Sequence, residues 1–318
     1  MATHELRVRA IDAGELRTWL ELVGAPPDEA LAARLQDAWA SGDGGPDQTF
    51  LLERAGHAIA RVAYIASPAA SSRPDFLEAS TVGLWLPWAD PDATTLGARL
   101  VRDAIAALPP SIDAVDGYAN PVITPDADER RAVFEGAGMS LFQEKVGFEW
   151  RADAPPAAAP SERRLTFHPA TEAGDDVLID VMDRTTQGTL DRQDRYYAAL
   201  VGPGHWGPEM LAYRAKEDEP DWLVAFDPAG VPVGHVLLGE FDEGRGTISH
   251  IGVVPEARGR GYVHELLAVL NDHARRRGFA AVISDCDTLN PPMHAAMERA
   301  GHHAANTAWH VWHYRVER

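Results

Sequence analysis

Cysteine is almost missing from this chain: Cys286 stands alone among 318 residues. No intramolecular disulfide can brace the fold, and a reducing, cytoplasmic setting is expected. Also missing is any apolar run of about eighteen residues, so no membrane-spanning helix and no membrane partner are expected. The opening Met-Ala-Thr-His-Glu-Leu-Arg has no apolar signal core. Basic residues are scarce, 29 against 48 acidic ones, for a net charge of −19. A nucleic-acid surface needs a basic footprint and is not expected, whereas a negative field favours cationic ligands and solubility. Metal-ligand spacing is lacking too. His310 and His313 fall on opposite faces of a strand, and the adjacent His302 and His303 diverge in an extended segment, so no metal is expected. The Gly-Lys-Ser/Thr of a nucleotide P-loop and the third glycine of a dinucleotide fingerprint are absent as well.

What is present is one stretch of uncommon organisation. From Ile248 to Leu267 the chain reads as an apolar strand, a stop at Pro255, a turn carrying Gly259 and Gly261, and an amphipathic helix. Val263, Leu266, Leu267, Leu270 and Ala274 form one helical stripe. Arg275–Arg277 and Gly278 end that helix, with cations at the negative end of its dipole and a glycine beyond. The turn is the chemical feature. Glycines let backbone N–H groups approach a ligand, and a helix N-terminus carries roughly half a positive charge, which together make an anion site. Arg258 and Arg260 add positive charge suited to a phosphate or pyrophosphate.

At these residues the chain resembles the GNAT superfamily of acetyl-CoA-dependent N-acetyltransferases. Their pyrophosphate loop follows Gln/Arg-x-x-Gly-x-Gly/Ala, a pattern filled here by Arg258, Gly259, Arg260, Gly261, Tyr262 and Val263, although Val263 stands where the family prefers a small residue. The resemblance implies acetyl-CoA as co-substrate, held at that loop, and a strand splayed from its neighbour whose backbone at His250, Ile251, Gly252 and Val253 pairs with the pantetheine arm. It also matches Asn290, before Pro291-Pro292, to an asparagine used near the pantetheine; a helix N-cap is the other reading of that residue.

The order of elements recurs along the chain. Residues 1–151 are read as one domain, 152–162 as a proline- and alanine-rich linker, and 163–318 as a second domain. Phe134-Glu-Gly-Ala-Gly138 echoes Met297-Glu-Arg-Ala-Gly301, and Asn120-Pro121 echoes Asn290-Pro291, which points to duplication. The expected fold is α/β (α+β): two tandem GNAT-like repeats, each a mixed, mostly antiparallel sheet flanked by helices. The halves differ at the loop, because the first has Trp88-Ala-Asp-Pro-Asp-Ala, where Asp90 and Asp92 repel a pyrophosphate. The first half is therefore expected not to bind CoA.

Acetyl transfer to an amine needs a base that titrates near neutrality. His250, read as sharing a face with Ile248, Gly252 and Val254, is the first candidate, and Glu240 is its rival. Asp285 and Asp287 bracket Cys286 at a strand end and are candidates to grip a cationic acceptor. The segment Asp191–Tyr197 with Gly202–Trp206 is a candidate lid. Many family members carry a tyrosine on the last helix to protonate the leaving thiolate; Met297 occupies that place. The leading reading is acetyl transfer to a primary amine of a small, cationic molecule by direct attack in a ternary complex. Two alternatives are a non-catalytic CoA-binding sensor or assembly module, and an acetyltransferase of protein N-termini or lysines. A homodimer is compatible with each.

Overall fold

The computed structural model describes residues 5–22, 25, 28–66, 76–121, 124, 126–155, 163–202 and 221–316. The chain divides into two compact units, residues 1–143 with 310–318, and residues 144–309. In the first unit the described elements run β1 (Leu6–Ala10), α1 (Leu16–Leu20), α2 (Glu29–Ser41), β2 (Thr49–Arg54), β3 (His57–Ala66), β4 (Glu78–Trp85), α3 (Ala93–Ala107), β5 (Ala114–Ala119) and α4 (Ala127–Gly136). Strand β6 (Ser140–Arg151) then leads into the second unit. There follow β7 (Thr166–Pro169), α5 (Ala170–Ala173), α6 (Asp175–Thr186), α7 (Arg192–Val201), β8 (Asp221–Phe226), β9 (Pro232–Asp242), β10 (Arg245–Val253), α8 (Tyr262–Arg277), β11 (Ala281–Asp287) and α9 (Pro291–Arg299). The last strand, β12 (His303–Arg315), ends in the first unit.

Both units carry the same mixed sheet. The first has the order β1-β2-β3-β4-β5-β12 and the second β6-β11-β10-β9-β8-β7. Pairing within each is antiparallel except β4 with β5 and β10 with β11. Each sheet therefore takes its sixth strand from the other half of the sequence: His310–Arg315 pair with β5, and Lys145–Arg151 pair with β11. The division at a linker assigned both strands to their sequence neighbours. Strand pairing across more than a hundred residues leaves no local mark in the sequence.

Local chemistry accounts for the individual elements. At the β2–β3 hairpin Ala55 and Gly56 have φ of 51° and 79°, the left-handed pair that a two-residue hairpin requires. Helix α8 turns Leu266, Leu270 and Ala274 into the main core of the second unit, beside Trp222, Val236 and Leu237. Leu267 faces a smaller cluster with Phe148, Cys286 and Met297. Strand β1 pairs with β2 along its whole length, from Leu6 opposite Arg54 to Ala10 opposite Phe50. No helix of the described residues is long and apolar enough to cross a membrane.

One buried histidine ties stability to pH. His302 is fully buried, its Nε2 is 3.0 Å from Asn271 Oδ1, and burial followed by the charge of His303 lowers its pKa to about 4. The fold thus holds His302 neutral, whereas the unfolded chain protonates it near the ordinary value of 6.5. Its contribution is complete above pH 6.5 and is lost as pH falls toward 4. Integrated over that window it amounts to about 3 kcal/mol. Urea unfolding across pH 6.5 to 4 should show a steeper loss of stability in the natural protein than in His302→Gln. Parallel slopes would refute the assignment.

Candidate active site

The strand that leads into the glycine turn leaves its neighbour early. β10 pairs with β11 only from Arg245 to Thr247. Beyond that, β10 stays attached to β9 alone, and a one-residue bulge at Ser249 shifts the register between Ile248 opposite Leu238 and His250 opposite Leu237. Simple alternation put His250 on the face of Ile248; the extra residue puts them on opposite faces.

The unattached edge of β10 can be assigned atom by atom. Val254 N–H donates to Val233 O at 2.9 Å, so it points toward β9. The carbonyl of Gly252 also points that way, lying 2.7 Å from where a Cβ on Gly234 would be. Alternation then directs the backbone of Ile251 and Val253 to the open side. Arg258 Nε indeed donates to Val253 O at 3.0 Å on that side. Gly252 itself lies under helix α6, since a Cβ there would come within 2.7 Å of Thr185.

The glycine turn is built as an anion cradle. Gly259 and Gly261 have φ of 75° and 78°, and a Cβ on Gly259 would meet open space. Gly261 is the N-cap of α8 and supplies no side-chain acceptor. The N–H groups of Tyr262 and Val263 are therefore left for a ligand, whereas that of His264 donates to Gly261 O at 3.1 Å. Arg164, unmarked in the sequence, steadies the turn: its Nη2 donates to Arg260 O at 2.8 Å, its Nε to the buried Glu265 at 3.1 Å, and its guanidinium lies 4.8 Å from the Tyr262 ring centre. Because a trans peptide sets N–H opposite C=O, holding the carbonyl of Arg260 outward turns the Gly261 N–H to the other side. A diphosphate fits this arrangement.

Arg258 acts differently from the simple expectation. Its guanidinium is spent on three carbonyls, Val253 O, Gly188 O and Thr185 O, at 3.0, 3.2 and 2.8 Å. It is a strap between the turn, β10 and the C-terminal end of α6. Arg260 is exposed and donates to Glu256 O at 3.1 Å. Replacing Arg258 by alanine should cost about 1–2 kcal/mol of stability. It should also weaken CoA binding about tenfold through a loosened turn. Lysine, with one point charge instead of a fork, should not restore either. Calorimetric titration beside urea unfolding checks both, and an Arg258→Lys protein as tight and as stable as the natural one would remove the strap.

A cleft of roughly 560 Å³ gathers the expected residues 250–253, 258, 259, 261–263 and Asn290 on its walls. Arg260, Glu240, Asp285 and Asp287 are not on them. Glu240 is exposed and opposite Gly246, at the other end of β10 from the turn. That is outside the hydrogen-bond reach of the cleft that a base needs. Asp285 is paired with Lys145 at 2.8 Å. Asp287 is fully buried, and its two oxygens accept the N–H groups of Arg192 and Leu289, each at 2.8 Å. Both carboxylates are thus engaged within the fold. Asn290 caps α9, its side chain accepting from Met293 N at 3.4 Å, while also facing the cleft. Burial pushes the Cys286 thiol up to about 12, which disfavours the thiolate that a nucleophile needs. Met297 is buried in the core beneath α9.

The sequence did not mark the groups around His250. Its Nδ1 is 2.6 Å from His235 Nε2, and its Nε2 is 3.8 Å from Asp194 Oδ2 on α7. Asp194 also accepts from the Thr189 hydroxyl at 3.5 Å. Asp191, the N-cap of α7, has its pKa raised by burial and then by the charge of Asp194. Lys145 stays cationic: burial opposes its charge, but Asp285, Asp191 and Asp194 outweigh burial. Of the candidate lid, Asp191–Tyr197 belongs to this α7 segment, while residues 203–206 lie outside the described residues.

The first unit has the same splay with different contents. Arg130 Nη2 donates to Leu84 O on β4 at 2.6 Å, and Arg130 also pairs with Asp126. At the start of α3, Asp90 Oδ1 accepts the N–H of Asp92 at 2.9 Å, where α8 has a bare glycine. Among the described residues no group of three or more His, Cys, Asp or Glu could hold a metal.

Comparison with known proteins follows this geometry. Residues 190–302 match the Acetyltransferase (GNAT) family. An acetyltransferase of Photorhabdus laumondii is 33% identical over 84 residues, 26% of this chain and 57% of that protein. One from Yersinia enterocolitica is 34% identical over 71 residues, 22% of this chain and 50% of that protein. The matches thus span about half the length of these curated relatives. In fold, a GCN5-related N-acetyltransferase from Sphaerobacter thermophilus has a TM-score of 0.58 at 20% identity, covering 98% of this chain and 96% of that one. A tandem GNAT protein from the clavulanic acid biosynthesis pathway has a TM-score of 0.56 at 16% identity, covering 99% of both chains. Residues 190–302 are therefore similar to the GNAT acetyltransferase family, on a fold shared with a tandem GNAT protein.

Proposed function

We propose that this protein is an acetyl-CoA-dependent N-acetyltransferase that acetylates a primary amine of a small, cationic molecule by direct attack in a ternary complex. One observation carries the reading: an uncapped helix N-terminus, an unpaired strand edge and a histidine with a carboxylate beside it line the same cleft. Gly259, Gly261, Tyr262 and Val263 would hold the diphosphate through backbone N–H groups, and Ile251 and Val253 the pantetheine amides, with Asn290 alongside. Bound there, acetyl-CoA would supply a thioester carbonyl: an unprotonated amine attacks it, the C–N bond forms, the C–S bond breaks, and the leaving CoA thiolate takes up the proton that the new amide nitrogen sheds. His250 Nε2 takes the proton from the amine. Asp194 stabilises the resulting imidazolium and attracts the incoming ammonium, as does the net charge of −19. The first unit is assigned no CoA, since Arg130 already uses the Leu84 carbonyl and the carboxylates of Asp90 and Asp92 stand at the start of α3. The proposed setting is cytoplasmic.

The test is thiol release from acetyl-CoA across a panel of polyamines, amino sugars and amine-bearing metabolites, with peptides as a further arm. Turnover of a small amine supports the reading. Tight CoA binding without turnover of any acceptor would favour a sensor, a role that Met297, with no hydroxyl on α9, would suit.

A further inference from the structure

Behind the histidine of the cleft lies a second one that none of the expected chemistry uses. His235 is fully buried on β9 and opposite Gly252, two residues along β9 from Leu237, which is opposite His250. The two rings are 13° from parallel with centroids 4.9 Å apart, and His235 Nε2 is 2.6 Å from His250 Nδ1. The other nitrogen of His235, Nδ1, is buried without a hydrogen-bond partner. An apolar residue would fill this site without that penalty, as Val233, Val236, Leu237 and Leu238 do on the same strand. A polar residue retained at such cost needs a function for its one hydrogen bond.

The proton count at that bond decides its direction. Burial, and then the charge of His250, keeps the pKa of His235 well below the ordinary value, so it stays neutral with one N–H and one lone pair. When His250 accepts a proton, both of its nitrogens carry hydrogen. Only a lone pair on His235 Nε2 can then lie 2.6 Å from His250 Nδ1, which puts the proton of His235 on its own Nδ1. In the same arrangement neutral His250 carries its hydrogen on Nδ1 and leaves Nε2 bare, the nitrogen nearer Asp194. Other charged groups of this region among the described residues are Arg258 on the cleft wall, Asp191 at the start of α7 and, from β11 and β6, the Asp285–Lys145 pair. Thr189 reaches the region through Asp194.

We infer that His235 is a positioning residue: by accepting a hydrogen bond from His250 Nδ1 it fixes the tautomer of His250 and makes Nε2 the basic atom. The catalytic consequence rests on the acetyl-transfer reading; the tautomer does not. The experiment is nitrogen-15 NMR of the imidazole rings through a pH titration, with His250 assigned by its loss in His250→Gln. It is run on the full chain and on His235→Leu and His235→Gln. Neutral His250 should carry its proton on Nδ1 in the natural protein and shift toward the Nε2–H form in His235→Leu. The acetylation kcat of His235→Leu should fall about 10- to 100-fold, the loss of one hydrogen bond to a charged group, with KM for acetyl-CoA within about twofold. Glutamine, whose Oε1 reaches the position of Nε2, should recover the tautomer and most of the rate. A natural protein with His250 in the Nε2–H form overturns the inference without any variant. So does an unchanged His250 spectrum in His235→Leu. The expected tautomer change in a protein that turns over no amine supports the pair and removes the acetyl-transfer reading instead.

Discussion

Replacing Gly261 by glutamate should raise the dissociation constant for coenzyme A at least 100-fold while leaving the protein folded. Gly261 has a left-handed φ of 78° and forms the N-cap of α8 without any side-chain acceptor. A side chain there is not blocked sterically: the nearest atoms to a Cβ are Arg164 Nη2 and His264 Cδ2, each at 3.8 Å. The backbone cost of the left-handed conformation is about 1–2 kcal/mol, a small part of the stability of a chain this size. The electrostatic cost falls on the ligand. A carboxylate at the N-terminus of α8 would cap its free N–H groups and set a full negative charge where a diphosphate must sit. Two decades in affinity correspond to about 2.7 kcal/mol, within reach of that repulsion and the lost N–H bonds together. Gly259→Ala is the control, because its Cβ would meet open space and it adds the strain without the charge. Calorimetric titration with CoA, beside urea unfolding, reads both effects. A Gly261→Glu protein that binds CoA within threefold of the natural one would take the turn out of the cofactor site.

Much of this site was legible because its parts are consecutive in the chain. Pro255, the two glycines and the stripe from Val263 to Ala274 specify strand, turn and helix by local rules, and the local rules hold. The repeated element order likewise announced two similar sheets. What stayed hidden depends on pairing between distant residues. Exchange of β6 and β12 between the units changes no local pattern. The bulge at Ser249 reverses the face of Ile248 relative to His250, and an alternation count cannot detect a single inserted residue. Arg258 illustrates a subtler failure. Its presence in the turn was readable, but the carbonyls of Thr185 and Gly188 that occupy its guanidinium lie seventy residues or more away. Asp194 stands in a polar helix where nothing distinguishes it from its neighbours. For His235 a signal did exist: a lone histidine inside the run Val233-Gly-His-Val-Leu-Leu238 is a polar residue in a strand that is otherwise apolar.

His250→Ala should lower the acetylation kcat by 10²- to 10⁴-fold, the usual range for removing a general base, while CoA binds within about twofold of its natural affinity. The two halves of that expectation have separate physical origins. The backbone that would hold the cofactor at Ile251 and Val253 is fixed by pairing with β9 and by the Arg258 strap, neither of which uses the imidazole. In the proposed reaction the imidazole serves only the amine, which would arrive as an ammonium and would have to lose a proton before its lone pair could react. An ammonium also gains from Asp194, so Asp194→Asn should mainly raise KM for the amine, with a smaller loss in kcat from the less stabilised imidazolium. The pH dependence of kcat/KM separates a base from a residue that only shapes the cleft. A base leaves an ionisation in that profile, and the alanine variant should lose it along with its rate. Adding free imidazole should restore part of the rate to His250→Ala if a diffusible base can enter the cleft. An alanine variant that keeps both the natural rate and the natural pH profile would show that the amine gives up its proton elsewhere, and would leave His250 with its neighbour His235 as a structural pair.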